Sequence, residues 1–389
     1  MPSLQSFKLQ SIAYKKLIAK QTNSPIRKAN SVSILTNGDE IFPSMLAAIK
    51  SAKTSISFLT YVYWRGDIAT EFAQTLSRKA KAGVKVSVLL DAFGSSKIDN
   101  QLIDHMQQAG VSVLWFRPLR WYTLHKLNNR THRKILIIDN IVGFVGGVGI
   151  AQEWTGHAQD VQHWRDTHFK VKGPAIKDLL ASFNGNWTEA GGKKIAYRPS
   201  STVTRGKTTL QITSSQGGKS HTQGEALFYT SIRQAKKYIN ITTAYFAPSK
   251  HFRHALIEAS RLGVNVTILT NGHHTNHSLV RRAGHRHYHS LLAAGITIYE
   301  YQPTLLHAKT MTIDNEWATV GSINFDDRSF ILNDEISMSL TDQKLIKKLD
   351  DQLTSDLTRS KRITLHRWRR RPHLAKLSEI LSDSVRKQL

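Results

Sequence analysis

Two identically spaced sets of histidine, lysine and aspartate are the residues of this chain best suited to chemistry. The pattern His-x-Lys-x-x-x-x-Asp occurs twice: His132, Lys134, Asp139 and His307, Lys309, Asp314. Two imidazoles can share a double displacement at phosphorus, in which one attacks and the other protonates the leaving alcohol. The lysines can neutralise the charge on the phosphate oxygens. The motifs therefore predict cleavage or transfer of a phosphodiester without a metal or another cofactor.

The sequence around the two motifs is duplicated. The two histidines are 175 positions apart (307 minus 132) in a chain of 389 residues, and the same order of patterns surrounds each. The first half has a helix-like stretch at 42–49, a strand-like run at 55–63, a second helix that ends at a glycine at 68–83, and a buried strand at 84–90. In the second half, a helix opens at 224, the strand-like run is at 238–245, the second helix ends at Gly263, and the buried strand is at 264–269. This alternation predicts two α/β units packed face to face, with the active site at their interface.

Each motif begins a strand, a turn and a second strand. Residues 134–139 reach a turn at Asn140 and continue at 142–147, and residues 309–314 reach a turn at Asn315 and continue at 318–322. Successive residues of a strand face opposite sides, so a histidine and a lysine two positions apart share one face. A phosphate can therefore contact both side chains of a motif.

These patterns divide the chain into five segments. We predict a basic N-terminal extension (1–31), a first domain (32–190), a Gly/Ser/Thr-rich linker (191–218), a second domain (219–358) and a basic amphipathic C-terminal tail (359–389). The first half also holds about ten additional residues near 117–122, just before its motif. Trp121 and Tyr122 in this insertion fit lipid-facing aromatic residues and packed residues equally well.

The composition predicts an anionic partner. The formal net charge is +26 and the isoelectric point is about 10.2, and both nucleic acid and an anionic membrane surface satisfy such a charge. The chain has no cysteine, which excludes thiolate nucleophiles and cysteine-ligated zinc. We find neither a signal-peptide pattern nor an apolar run of about 18 residues, so we expect membrane contact at the surface.

These motifs resemble the two HKD motifs of the phospholipase D superfamily. Within that superfamily, the sequence resembles the bacterial cardiolipin synthases. The resemblance extends from about Val32 to beyond Glu335. The supporting stretches are Gly-Ser-Ile-Asn-Phe-Asp at 321–326, Asn-Asp-Glu at 333–335, Trp-Arg-Asp-Thr-His at 164–168 and Gly-Pro-Ala at 173–175.

The resemblance implies a role for each candidate residue. The nucleophile would be His132, and His307 would protonate the leaving group and then deprotonate the acceptor. Each histidine would be oriented by an acid of the opposite half, which pairs His132 with Glu335 and His307 with Asp166. The phosphate oxygens would be held by four residues: Lys134, Lys309, Ser322 and Asn324. Asp139 and Asp314 complete the catalytic motifs, but their position at strand ends favours a role in fixing the hairpin turns.

One position departs from the family pattern. Gly149 stands where the family usually has asparagine, so the oxyanion contacts on that side would come from the backbone or from Ser322 and Asn324.

Three functions remain open on the sequence. They are a phosphatidyltransferase that joins two phosphatidylglycerols and releases glycerol, a phosphodiesterase that uses water on lipid or nucleic acid, and a non-catalytic phosphate-binding module. The intact motifs argue against the binding module, and the stretch at 164–166 favours lipid over nucleic acid. We predict the transferase, peripheral on the cytoplasmic face of the membrane, with anionic phospholipid and the membrane surface as partners and no obligate protein partner.

Two further clusters have less specific patterns. Basic residues at 361–371 precede an apolar helical pattern at 374–385, which is typical of an interfacial membrane anchor or of a terminal helix packed on its own domain; we predict the anchor. Five histidines, His273, His274, His285, His287 and His289, lack a nearby set of acids. We therefore predict a solvated or substrate-rim face there and no metal site.

Overall fold

A single sheet of fifteen strands forms the centre of the computed structural model, which describes residues 7–118, 128–198, 206–218 and 222–384. The strands are β1 (Ile26–Thr36), β2 (Ser55–Thr60), β3 (Lys85–Asp91), β4 (Ser112–Phe116), β5 (Ile135–Ile138), β6 (Val142–Gly146), β7 (Thr167–Lys172), β8 (Thr208–Ser215), β9 (Tyr238–Thr242), β10 (Phe246–Ala247), β11 (Asn265–Asn271), β12 (Thr297–Tyr301), β13 (Thr310–Ile313), β14 (Trp317–Gly321), β15 (Phe325–Asp326), β16 (Glu335–Leu340) and β17 (Ser360–Ile363). Strands β10 and β15 form a separate small sheet.

Helices cover the sheet. They are α1 (Ile12–Thr22), α2 (Asn37–Ser51), α3 (Asp67–Lys81), α4 (Asn100–Gln108), α5 (Ile176–Glu189), α6 (Gln223–Ile232), α7 (Lys250–Arg261), α8 (Ser278–Ala293), α9 (Gln343–Thr358), α10 (Leu365–Arg369) and α11 (His373–Ser384). Among the described residues, none of these helices has both the length and the apolar composition needed to span a bilayer.

The local patterns explain the elements that carry the motifs. In α3, the residues Ile68, Phe72 and Leu76 recur at helical spacing and are buried, and the helix ends before Gly83, whose φ of 85° favours glycine. In both β5 and β13 nearly every side chain is buried, because helices and the opposite half cover the two faces. The predicted helices and strands around both motifs are thus confirmed, with ends that differ by a few residues.

The strand order has an internal symmetry. From one edge to the other it is β17-β12-β11-β9-β13-β14-β16-β8-β1-β7-β6-β5-β2-β3-β4. Strands β1 and β8 pair antiparallel at the centre, so the sheet continues from one half into the other. Strands β6 and β7 also lie against β14 and β16, and Val145, Phe169, Val320 and Met338 share one core there. The two α/β halves therefore face each other, as predicted.

Two segment boundaries differ from the sequence-based division. Part of the predicted N-terminal extension belongs to the second half, since α1 buries Tyr14 there and the Tyr14 hydroxyl lies 2.7 Å from Ser231 Oγ. Strand β1 already begins at Ile26. The predicted linker contains β8, which pairs with β1 and β16 in the middle of the sheet. Both boundaries depend on strand pairing and packing between residues far apart in the sequence, which cannot be predicted from local composition.

The predicted C-terminal tail is folded onto the second half. Strand β17 pairs antiparallel with β12 at the sheet edge, α11 lies along α8, and Trp368 of α10 is 7% exposed against Tyr288. The prediction of an interfacial membrane anchor is therefore corrected in favour of the alternative, a terminal element packed on its own domain. Trp121 and Tyr122 of the predicted insertion lie outside the described residues.

Candidate active site

The two motif histidines lie at the junction of the halves, just before β5 and β13. The backbone N–H of His132 donates to the carbonyl of Asp334 at 2.8 Å, and that of His307 donates to the carbonyl of Arg165 at 2.7 Å. Each half thus holds the motif of the other by a main-chain hydrogen bond, with isolated bridges at Thr131 and Arg165. The relative position of the halves therefore sets the position of both imidazoles.

Each imidazole contacts a carboxylate from the opposite half. The Nδ1 atom of His132 lies 3.0 and 3.1 Å from the two carboxylate oxygens of Glu335, and Nδ1 of His307 lies 2.7 Å from Asp166 Oδ2. Both carboxylates are completely buried. The two predicted contacts are present in the structure. With Nδ1–H donated to a carboxylate, each ring keeps its lone pair on Nε2, which is the arrangement needed for attack or for proton transfer.

The two lysines are buried beside the histidines. Lys134 Nζ donates to the carbonyl of His132 at 2.8 Å, and Lys309 Nζ donates in the same way to the carbonyl of His307. Each lysine is less than 5% exposed. An ammonium donates three hydrogen bonds, so each lysine retains donors for a phosphate oxygen.

The electrostatics of the His132 pair favour a neutral imidazole beside an ionised acid. Burial lowers the pKa of His132 to about 4, with the Glu335 carboxylate opposing the shift and the Lys134 ammonium adding to it. Burial by itself would raise the pKa of Glu335, but His132 and Lys134 outweigh it and the pKa is lowered. At neutral pH His132 is therefore an unprotonated nucleophile whose conjugate cation has a counter-ion in place.

The His307 pair is tuned differently. Burial, with the charges of Lys309 and Lys134, lowers the pKa of His307 well below its usual range, and burial raises the pKa of Asp166. Burial also lowers the pKa of Lys309 to about 8. The shifts of His307 and Lys309 oppose positive charge in the dry site, whereas the shift of Asp166 opposes negative charge there. Protonation of His307 and Lys309 therefore carries a penalty in the free site. A phosphodiester anion placed among these groups reverses that penalty and favours the protonated lysine and histidine.

The supports of the two carboxylates are not equivalent. The Ser322 hydroxyl donates to Glu335 and accepts from the N–H of Ile336 at 3.0 Å. In the other half, the indole N–H of Trp154 donates to Asp166 Oδ2 at 3.0 Å. Ser322 was predicted to bind substrate, but its hydroxyl is engaged in holding Glu335; this role is corrected to one of positioning.

Aromatic rings that no sequence motif assigned to the site surround both imidazoles. Tyr61 meets the His132 ring edge-on at 5.0 Å, Trp154 meets the His307 ring edge-on at 5.0 Å, and Trp164 lies 5.8 Å from it. Trp164 belongs to the stretch at 164–168 that supports the resemblance, and Tyr61 lies within the strand-like run at 55–63. Tyr61 corresponds to Ala244 of the second half, so only this difference between the two halves distinguished it.

The two halves also differ at the positions after the motif hairpins. A Cβ atom at Gly149 would lie 2.7 Å from Val62 Cβ, and one at Gly147 would lie 2.4 Å from Asp166 Oδ1. An asparagine at position 149 would therefore require Val62 to shift. In the second half, Asn324 is 2% exposed and its side-chain oxygen has no hydrogen-bond partner among the described residues. The unpaired oxygen can only accept a hydrogen bond, whereas the NH2 group of the same amide can donate to a phosphate oxygen.

Asp139 and Asp314 do not join the cluster. Asp139 accepts from the backbone N–H groups of Lys53, Thr54 and Ser55 at 2.7 to 2.8 Å, and it has a positive φ of 53°. Asp314 accepts in the same way from residues 236–238. Each stands five residues beyond its lysine at the far end of a strand, about 16 Å away. Their inclusion among the catalytic residues is therefore corrected: they fix the hairpin turns to the neighbouring strands.

The five histidines of the predicted solvated or substrate-rim face, between 273 and 289, belong to the second half. His285 contacts Glu300 at 2.8 Å and His287 contacts Asp383 at 3.1 Å, so helix α8 uses them to hold β12 and α11. Across the described part of the chain, no group of three or more potential ligands is arranged to hold a metal ion.

Comparison with known proteins identifies relatives over almost the whole chain. The family model described as "Cardiolipin synthase, PLD-like domain" matches residues 45–187 and 228–357. A cardiolipin synthase of Alkalihalophilus pseudofirmus is 33% identical over 94% of this chain and 74% of its own length. One of Clostridium perfringens is 34% identical over 96% of this chain and 81% of its own length.

Solved structures share the architecture. The phosphatidylserine synthase of Haemophilus influenzae superposes with a TM-score of 0.71 at 14% identity, covering 97% of this chain and 100% of that one. A polyphosphate kinase of Porphyromonas gingivalis superposes with a TM-score of 0.57 at 13% identity, covering 94% of this chain and 52% of that one. At these identities the similarity concerns the fold.

Proposed function

The chain belongs to the cardiolipin synthase family of phospholipase D-like proteins and is a phospholipid transferase, and we propose that it joins two phosphatidylglycerol-type lipids through a phosphohistidine at His132. The observation that carries this proposal is the pair of buried imidazoles, each fixed through Nδ1 by a carboxylate of the opposite half. Two such groups can divide the tasks of nucleophile and acid–base.

In the first step, His132 Nε2 attacks the phosphorus of one phospholipid. The bond from phosphorus to the glycerol oxygen breaks, and that oxygen takes the proton from His307 Nε2. The product is glycerol and a phosphatidyl group bound to His132. Glu335, 3.0 Å from Nδ1, stabilises the ring as it becomes cationic.

In the second step, a hydroxyl of a second phosphatidylglycerol attacks the phosphorus. His307 accepts the proton of that hydroxyl, the bond from phosphorus to His132 breaks, and both histidines return to their first state. Lys134, Lys309 and Asn324 hold the non-bridging oxygens through both steps. The burial of these residues supports transfer over hydrolysis, because a site from which water is excluded favours the bound alcohol.

A transferase acting on phospholipids works at a membrane. We place this protein on the cytoplasmic face as a peripheral protein, held by its excess of positive charge against anionic lipid. The partners in this proposal are the phospholipid substrate and the membrane surface, with no obligate protein partner and no role for nucleic acid.

The test is product analysis with purified protein and phosphatidylglycerol vesicles. We expect cardiolipin and free glycerol in equal amounts by mass spectrometry. The His132→Ala variant should form neither, whereas His157→Ala, which changes an exposed histidine, should retain the wild-type rate. Phosphatidic acid as the main lipid product would establish the hydrolase in place of the transferase. Cleavage of DNA at physiological salt with no lipid product would establish a nuclease.

A further inference from the structure

A cavity lined largely by charged side chains lies at the outer edge of the second half. It has a volume of about 440 Å³, is open to solvent, and is lined by residues of helix α8, strands β12 and β17, and the two C-terminal helices α10 and α11. Ligand pockets commonly have volumes of this order. The strand order separates β17 from β13, which follows Lys309, by four strand positions, or about 19 Å. This cavity is therefore distinct from the site of the two motifs.

The cavity carries a surplus of positive charge. Six lysine and arginine residues and two glutamates line it, which leaves four positive charges in excess: Arg281, Arg282, Lys361, Arg362, Arg367, Arg371, Glu300 and Glu379. Both glutamates are about 95% buried and already paired. Arg281 and His285 contact Glu300 at 2.9 and 2.8 Å, and Arg371 contacts Glu379.

The remaining four cations have no such counter-charge. Arg282, Lys361, Arg362 and Arg367 are exposed at the cavity mouth, and no carboxylate lies within ion-pair distance of them among the described residues. Like charges gathered around one concave surface repel each other, and the low-dielectric walls concentrate their field. A bound anion relieves that repulsion.

The floor of the cavity is closely packed. Trp368 is 7% exposed, the Arg371 guanidinium lies 3.3 Å from the centre of its ring, and Tyr288 and His285 meet the ring at 4.8 and 5.1 Å. Burial by itself would raise the pKa of Glu300, but the contacts with His285 and Arg281 outweigh it and lower the pKa, so the acid stays ionised and keeps these two residues in place. The cationic side chains at the mouth therefore extend from packed backbone elements, which reduces the entropy lost when they are ordered around a ligand.

We propose that this cavity is a second anion site, which binds the phosphate group of a ligand other than the lipid under reaction. Arginine presents paired N–H groups that match the oxygens of a phosphate, and three of the four uncompensated cations are arginines. The phosphate can belong to the headgroup of an anionic lipid in the membrane or to a small soluble phosphate compound. The proposal goes beyond the transferase reaction, since none of the residues involved contacts the motif histidines.

The test compares two triple variants with the same loss of charge. Arg282→Ala, Arg362→Ala and Arg367→Ala together remove cations from the cavity. Arg286→Ala, Arg369→Ala and Arg370→Ala together remove exposed cations from the same part of the fold that do not line it. All six side chains are exposed, so both proteins should fold, and thermal unfolding of each protein checks this.

Calorimetric titration with inorganic pyrophosphate supplies the first arm. The motif site contributes equally in all three proteins. We expect two classes of site in the wild type and in the control variant. In the cavity variant, the second class should be weakened about tenfold or more, because each lost charge-assisted hydrogen bond alone can cost that much. Indistinguishable titrations of the two variants would overturn the proposal, because the effect would then be general to surface charge or absent.

Vesicle sedimentation supplies the second arm and distinguishes the two sources of phosphate. Vesicles contain phosphatidylglycerol in phosphatidylcholine, or phosphatidylcholine alone. If the ligand is a lipid headgroup, the cavity variant should lose more binding to the anionic vesicles than the control variant does. If the ligand is soluble, the two variants should sediment equally while the pyrophosphate titration still separates them. Equal behaviour in both arms would leave no second site.

Discussion

The charge on Glu335 should govern the rate of attack by His132. In the proposed mechanism the His132 ring becomes cationic as it attacks, and the carboxylate of Glu335 lies 3.0 Å from Nδ1. This contact places the two centres of charge about 4 Å apart. At the effective dielectric constant of about 20 that describes protein sites, their attraction is about 4 kcal/mol. The substitution Glu335→Gln keeps the shape and removes the charge, so we expect the rate to fall by about 10³.

The hydrogen bonds around Glu335 also predict a lower rate for the Glu335→Gln variant. The carboxylate accepts from both His132 and the Ser322 hydroxyl, whereas a glutamine has a single acceptor oxygen and must present its amide NH2 group to one of them. The Ser322→Ala variant removes one neutral donor and retains the charge. It should therefore slow the reaction much less than Glu335→Gln does, by about tenfold.

The assay measures the rate of glycerol release from phosphatidylglycerol vesicles at saturating lipid. A second substrate, a phosphodiester with a p-nitrophenol leaving group, needs no protonation of that group. Glu335→Gln should be slow with both substrates, because it impairs the nucleophile. Asp166→Asn, which impairs the acid, should recover with the second substrate. A Glu335→Gln rate within tenfold of the wild type, in a protein that unfolds at the wild-type temperature, would refute the charge argument, and the reverse pattern of recovery would exchange the roles of the histidines.

Four further outcomes are expected. Asp139→Ala should lower the free energy of unfolding in urea by about 2 kcal/mol, because three backbone N–H groups lose their acceptor, while the folded fraction keeps its activity. Burial lowers the pKa of His168 to about 4, so the unfolded state binds more protons between pH 6.5 and 4 and stability falls on acidification. Between pH 7 and pH 5, the free energy of unfolding in urea should therefore fall by about 2 kcal/mol less in His168→Gln than in the wild type. Equal losses in the two proteins would contradict this. Treatment with a chelator should leave glycerol release unchanged, since Lys134 and Lys309 supply the positive charge, and loss of activity that one metal restores would count against this mechanism. Deletion of 360–389 should lower the melting temperature and the activity together, because β17 pairs with β12; a truncated protein with the wild-type melting temperature would show that the segment is not part of the core.

The sequence determined the chemistry and the repeated architecture of this protein. Two motifs with identical spacing, each starting a strand and a turn, are local patterns, and the positions of strand residues follow from a period of two. The duplication also implied that the halves meet, whereas the pairing of Asp166 and Glu335 with the opposite histidines came from the resemblance to the phospholipase D superfamily.

Only the tertiary structure decided how the site is supported and where the ends of the chain belong. Tyr61, Trp154 and Ser322 act through contacts between residues far apart in the sequence, and no local pattern distinguishes an aromatic ring beside an imidazole from one in the core. The basic C-terminal segment illustrates the same limit. Its composition favoured a membrane anchor over a packed terminal helix, but β17 pairs with β12 and makes the segment part of the fold. This pairing depends on β12 having an unpaired edge in the folded sheet, which the composition of the segment does not encode.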